Sequence, residues 1–250
     1  MDFLYLQYRV PYPLNIIIND RTLDKYNRMF TFLLQLQRID TITKYIYQKL
    51  PPATDKSNLL QHRIRFLIGQ FATTLCQYVF DTAIHHTWYS FIQRIQDQDD
   101  KLFKTMDPSM FGEYHEHVLD RMLYQCFLKQ SQQPIKHMLN QILQDIIILT
   151  TTLMNQKHDD HQQAQLEQEF DQYMEHTHQF IKVLSKLHER GIGRLGNVMN
   201  SKNLQGSFGV FGDFHDKLDA KSGQGTFAQE LLIRLDMNDY YINYSSTFLK

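Results

Sequence analysis

Cysteine is nearly absent: Cys76 and Cys126 are the only two, and neither sits in a C-x-x-C pair. A disulfide framework is thereby excluded, and a reducing compartment is expected. Turn formers are also scarce, with 10 Gly and 6 Pro in 250 residues, too few for the many turns of an all-β sandwich. No charge predominates either. Lys and Arg number 26 against 27 Asp and Glu, so the net charge is −1 and no basic field exists to gather nucleic acid or anionic lipid. Long apolar runs are missing too; the longest, Ile146-Ile147-Ile148-Leu149, is far too short to span a bilayer. The opening Met1-Asp2-Phe3-Leu4-Tyr5 lacks the basic region and small-residue cleavage site of a signal peptide. The expectation is a soluble cytoplasmic or nuclear chain with no nucleic-acid partner and no membrane partner.

Catalytic signatures are lacking as well. Gly191-x-Gly193-x-x-Gly196 matches a dinucleotide fingerprint in spelling, but such a loop must follow a strand, and this one follows a helical pattern. The pairs His115/His117 and His176/His178 are two residues apart, which on a helix points them about 200° from each other and prevents a shared metal. His158-Asp159-Asp160-His161 has possible ligand spacing, with His62 upstream as a further candidate. A metal phosphohydrolase of the His-Asp type would hold such a pair on a helix. Here it lies in the polar stretch 155–165, which reads as a surface loop. No Ser/His/Asp order and no cysteine with a partner base is recognisable. The expectation is a non-enzyme with no metal and no cofactor.

What is present is apolar surface at helical spacing. Hydrophobic residues make up 42% and aromatics 13%, with 17 Phe and 14 Tyr, ample for a large core. Residues 1–21 read as an extended lead-in stiffened by Pro11 and Pro13, running through the β-branched Ile16-Ile17-Ile18 to a polar break at Asn19–Thr22. A core helix follows, with Leu23, Tyr26, Phe30, Leu33, Leu34 and Gln37 as its main stripe and Met29, Phe32 and Leu36 broadening it. Beyond the hinge at Pro51-Pro52, residues 57–95 predict one long helix, or two joined by a kink, with Ile64, Leu67, Ile68, Phe71, Leu75, Val79, Thr82 and His86 aligned. Further helices are expected over 111–129, from Pro134 to about Leu153, from Leu166 to a stop at Gly191, and from Phe227 to Leu235. Residues 201–225 are glycine-rich and irregular. The fold class is all-α: an antiparallel bundle of about six helices, with a Gly-rich loop insertion near the C-terminus.

Certain words in this pattern are longer than periodicity requires. Tyr8-x-Val10-x-Tyr12-Pro13-Leu14-Asn15-Ile16-Ile17-Ile18 is followed by Lys25-Tyr26-Asn27-Arg28-x-Phe30-x-Phe32-Leu33-Leu34-Gln35-Leu36. Together they resemble the C-terminal domain of the γ-tubulin complex component family, which usually has Trp in place of Tyr12. The resemblance continues through Tyr78 to Ile95 with Trp88 and Phe91, through Tyr114-His115-x-x-Val118-Leu119 and Cys126-Phe127-Leu128, and through Phe170, Phe180, Leu184, Leu187 and Arg190-Gly191. It ends in Arg234-Leu235-Asp236-Met237-Asn238-x-Tyr240-Tyr241. Val118 and Met237 stand where the family usually has Tyr and Phe, and the 201–225 insertion departs from its pattern. The Pro-Leu-Asn-Ile-Ile and Phe-x-Phe-Leu-Leu-Gln-Leu wording is similar to the larger, non-core members.

The resemblance implies that residues 1–250 form the family's C-terminal helical domain, and that its N-terminal domain, which makes lateral contacts between neighbours, is absent from this chain. It implies γ-tubulin and other γ-tubulin complex components as partners, a part in microtubule nucleation, and a place at a microtubule-organising centre or spindle pole. Pro13, Asn15, Lys25, Arg28, Arg234, Asn238 and Tyr240 are the partner-binding candidates it marks, expected to converge near one face of the bundle. Read from the residues alone, the polar members are either ordinary solvent-facing positions or an interface. A generic helical scaffold for another partner and the metal phosphohydrolase remain the alternatives.

Overall fold

The computed structural model describes residues 4–49, 59–96, 107–155, 160–189, 227–236 and 241, the side chains of 160–162 and 188–189 excepted. All regular structure among them is helical: α1 (Asp20–Lys49), α2 (Leu59–Gln77), a π-helical segment (Tyr78–His86), α3 (Thr87–Gln96), α4 (Pro108–Gln125), α5 (Gln133–Asn155), α6 (Asp160–Glu189) and α7 (Phe227–Leu235), with short 3-10 turns at Leu14–Ile16 and Gln130–Gln132. None of these helices is long and apolar enough to cross a membrane. The chain divides into two compact units, Met1–His176 and Thr177–Lys250. The glycine-rich 201–225 lies outside the described residues.

In the first unit α1 is central, packing on α2, α4 and α5. Asn19 caps it: its Oδ1 accepts from Thr22 N at 3.0 Å while its carbonyl accepts from Thr22 Oγ1 at 2.8 Å. The buried stripe is Thr22, Met29, Phe32, Leu36, Ile39, Thr43 and Ile46, a three-four alternation. That corrects the expected stripe, because Leu23, Phe30, Leu33 and Leu34 are only half-buried and Gln37 is exposed. Apolar residues crowd together from Met29 to Leu36 of α1, so local spacing allowed two seams. Ile39, Thr43 and Ile46 decide between them, since only their seam continues to the end of the helix.

The run 59–96 is one uninterrupted helical run, as the first of the two expectations has it, but Tyr78–His86 within it is π-helical rather than α. Ile64, Leu67, Ile68, Phe71, Leu75 and Val79 are buried as expected. Beyond them the register slips by one: Ala83 and Thr87 are buried, while Thr82 is half-buried and His86 exposed. Each i+4 step on an α-helix turns a side chain about 40° away from its stripe. The wider π turn absorbs that drift, so Leu75, Val79, Ala83, Thr87 and Phe91 stay on one buried face.

The helix α4 starts one turn earlier than expected, with Pro108 in its first turn, and stops earlier, at Gln125. The stop is a Schellman motif. Leu128 N donates to Leu123 O at 2.8 Å and Phe127 N to Tyr124 O at 3.2 Å. Phe127 fills the left-handed position where glycine is usual, at φ 59, and its ring is fully buried.

In α6, Leu166, Phe170, Tyr173 and Met174 are buried as the spacing predicts. Tyr173 lies edge-on to Phe71 at 6.4 Å and donates to Leu67 O at 3.5 Å. His176 Nδ1 meets Asp145 Oδ2 at 2.6 Å, tying α6 to α5; burial raises the Asp145 carboxyl above its ordinary range and His176 opposes that rise. In the second unit Phe180, Ile181 and Leu184 of α6 are buried, as are Ala228, Leu231 and Leu235 of α7. His178 Nδ1 donates to Tyr241 O at 2.5 Å, and Tyr241 N donates to Asp236 Oδ1 at 2.8 Å.

Candidate protein-binding surface

The lead-in is the part of the first unit that most needs explaining. Leu4, Tyr5, Leu6, Tyr8, Tyr12, Leu14 and Ile16 are all exposed large apolar side chains, Tyr12 at 83%. A soluble monomer rarely leaves such a run open. The stretch is nonetheless held in place. Leu6 N donates to Asn27 Oδ1, and Asn27 Nδ2 donates back to Leu6 O at 3.1 Å, so one carboxamide of α1 pairs with both backbone groups of a lead-in residue. Farther along, the expected extended run breaks. Residues Leu14–Ile16 form a 3-10 turn in which Ile16 N donates to Pro13 O at 3.1 Å. β-branching disfavours helix only weakly, and the turn lets the chain pass close to α4. A Cβ on Gly112 would lie 3.2 Å from Ile16 O and 3.4 Å from the Ile17 Cα, so this glycine admits the lead-in backbone.

Behind the lead-in, α1 meets α4 through charges and rings. Lys25 Nζ lies 2.8 Å from Glu116 Oε1 and 2.7 Å from Asp120 Oδ1, itself mostly buried. Arg28 Nη2 donates to the carbonyl of Leu128, just past the Schellman turn. Burial lowers the Lys129 ammonium below its ordinary value; Asp120 opposes this, and the charges of Lys25 and Arg28 add to it. His115 is buried among Tyr26, Trp88 and Phe91, with Nε2 2.8 Å from Tyr26 Oη. Its Nδ1 has no hydrogen-bond partner among the described residues, which favours the tautomer with the proton on Nε2, since a bare lone pair is easier to bury than a bare N–H. Burial lowers this imidazole below the ordinary histidine value, with Glu116 opposing and Lys25 adding to the shift.

The candidates marked in the sequence therefore divide. Pro13 and Asn15 are exposed on the lead-in. Lys25 is engaged by two carboxylates within the fold, and Arg28 by the end of α4. Arg234, in the second unit, pairs with Glu230 at 2.8 Å, one turn away on α7. Asn238 and Tyr240 lie outside the described residues, as do His158 and Asp159. Asp160 and His161 belong to the first turn of α6 rather than to a loop, because that helix begins six residues before the first apolar residue that marks it. Among the described residues both thiols are free; burial lifts Cys76 to about 11 and Cys126 to about 12, so neither is a thiolate nucleophile. Sequence reading missed Asn27 and Gly112. Asn27, set between Lys25 and Arg28, carried no sign of its own, whereas a lone glycine within a helical pattern was the available sign of Gly112.

Comparison with known proteins adds the identity of this arrangement. The family model for the gamma tubulin complex component C-terminal domain matches residues 1–241. Gamma-tubulin complex component 4 of Homo sapiens is 23% identical over 251 residues, covering 98% of this chain and 31% of the relative. Gamma-tubulin complex component 6 of Homo sapiens is 23% identical over 207 residues, 76% of this chain and 11% of the relative. Spindle pole body component 98 of Dictyostelium discoideum is 23% identical over 210 residues, 74% of this chain and 25% of the relative. The chain thus spans under a third of the length of these relatives. With the match running in order from the lead-in to Tyr241, the chain belongs to the gamma-tubulin complex component family, as a representative of its C-terminal domain.

Proposed function

We propose that this chain binds γ-tubulin and serves as a component of a microtubule-nucleating complex, alongside other γ-tubulin complex components, at minus ends gathered by a microtubule-organising centre or spindle pole. It is a binding component rather than an enzyme. The observation that carries this reading is the family match over 1–241, the domain to which the sequence resemblance attaches γ-tubulin binding. The exposed lead-in supports it, because Tyr12 and its apolar neighbours form a run that a partner would bury. Tyrosine and arginine are the usual anchors of such interfaces. Of the candidate contacts, Pro13, Asn15 and the exposed Arg28 are open to a partner, whereas Lys25 and Arg234 are engaged within the fold. Arg28 also donates to Leu128 O, so the loss of any of these three charges would lower stability and affinity together.

The purified chain should enrich γ-tubulin over α- and β-tubulin from a tubulin mixture. The double substitution Tyr12→Ala, Asn15→Ala should weaken that capture by at least about tenfold, or about 1.4 kcal/mol, with an unchanged melting temperature. Absence of γ-tubulin enrichment would overturn the function. Enrichment that the double variant leaves intact would overturn only the contact assignment.

A further inference from the structure

A second surface lies on the other side of Asn27. A cleft of about 310 Å³ opens between α1 and α5 at the Schellman end of α4. Its apolar floor is Phe32 and Leu128, both buried. Its walls carry two cations, Arg28 from α1 and Lys136 from α5, and no acidic residue among the described residues lines it. In a chain of net charge −1, that is a local excess of positive charge. Carboxamides line it as well: Asn27 and Gln35 on α1, and Asn140 on α5.

The spacing matters. Asn27, Thr31 and Gln35 are successive i+4 positions, so they form one row along α1, and Lys136 and Asn140 form the facing row on α5. What a carboxamide in this row does is already visible at one end. Asn27 pairs with the N–H and the C=O of Leu6, the pattern by which one strand pairs with another. Gln35 and Asn140 have the same donors and acceptors.

We propose that this cleft takes an extended, carboxylate-bearing segment of a protein partner, its backbone paired with the carboxamide row and its carboxylates with Arg28 and Lys136. The inference rests on the reading of this domain as a protein-binding module. Backbone pairing supplies affinity for any extended peptide, and the two cations select acidic ones.

The test uses the full chain and a short fluorescein-labelled peptide of alternating Glu and Val, with a counterpart carrying Gln for every Glu. By fluorescence anisotropy the Glu peptide should bind at least about tenfold more tightly than the Gln peptide, with the difference shrinking as salt is raised. Lys136→Glu, a half-buried position on the α5 rim, should abolish that preference while helicity and melting temperature stay unchanged. Gln35→Ala should weaken both peptides alike. Failure of the Glu peptide to bind, equal binding of the two peptides, or a preference that survives Lys136→Glu would each overturn the proposal. Competition by inorganic phosphate at equal carboxylate-independent strength would do so too, by reducing the cleft to a simple anion site. Capture of γ-tubulin, measured separately, bears on the proposed function, and its loss with peptide binding intact leaves the cleft standing.

Discussion

Phe127 carries two opposed energies. A left-handed backbone costs a bulky residue about 1–2 kcal/mol, whereas losing a buried phenylalanine ring costs about 3–5 kcal/mol. The ring wins, and φ 59 is held by burial. Both Phe127→Gly and Phe127→Ala should therefore destabilise, but the glycine variant by about 1 kcal/mol less, since it alone relieves the backbone. Urea unfolding of the two variants checks the order, and alanine proving the better replacement would refute the strain argument. His115 gives a second prediction at this scale. Its folded value is lowered, so below about pH 6.5, where an unfolded histidine gains a proton, the folded state resists doing so. The stability it contributes is complete above that value and is lost as pH falls toward the lowered one. Melting temperature followed from about pH 7.5 to about pH 5 should drop less steeply in His115→Gln than in the native chain. Equal slopes would show that this imidazole protonates freely while folded.

At the scale of the element, the lead-in and α4 depend on each other through Gly112. Gly112→Val should leave α4 helical yet push the Ile16–Ile17 backbone away, because the atom in contact is main chain and cannot rotate aside. Hydrogen exchange should then rise at Leu14–Ile18, where Ile17 N and Ile18 N both donate to Leu14 O, and stay unchanged in the middle of α4. Unaltered protection of the lead-in would mean that it yields without detaching. In α1, Leu36→Ala should cost about 2–5 kcal/mol and Phe30→Ala clearly less, which separates the observed seam from the expected one. Helices with one apolar stripe and polar flanks were legible from spacing alone; Leu166 to Met174 in α6 is the clear case. In α1 the composition allowed two stripes, and only packing chose. The end of α4 was illegible for another reason, since phenylalanine is among the last residues to suggest a left-handed stop. Of the candidate site, Asn15 could be read as solvent-facing or interfacial, but the partners of Lys25 and Arg28 lie on α4 and just past its end, about a hundred residues away, and follow from tertiary packing alone.

For the whole molecule, low net charge and an open apolar lead-in act together. A net charge of −1 gives little mutual repulsion between copies, and the lead-in offers them a run of exposed Tyr, Leu and Ile. Light scattering near neutral pH should show mass rising with concentration, and Tyr8→Lys with Tyr12→Lys should suppress the rise; persistence of association in that variant would point to another surface. The π-helical segment reaches beyond this molecule. A shift of one position, from the anticipated Thr82 and His86 to the buried Ala83 and Thr87, is what one additional residue in a helix produces. Any relative whose corresponding helix is α throughout must therefore align to this chain with a single-residue gap between Tyr78 and His86. Aligned without it, every core position from Ala83 to Phe91 would be matched to a surface position, and the helix carrying Trp88 would look diverged when only its count had changed.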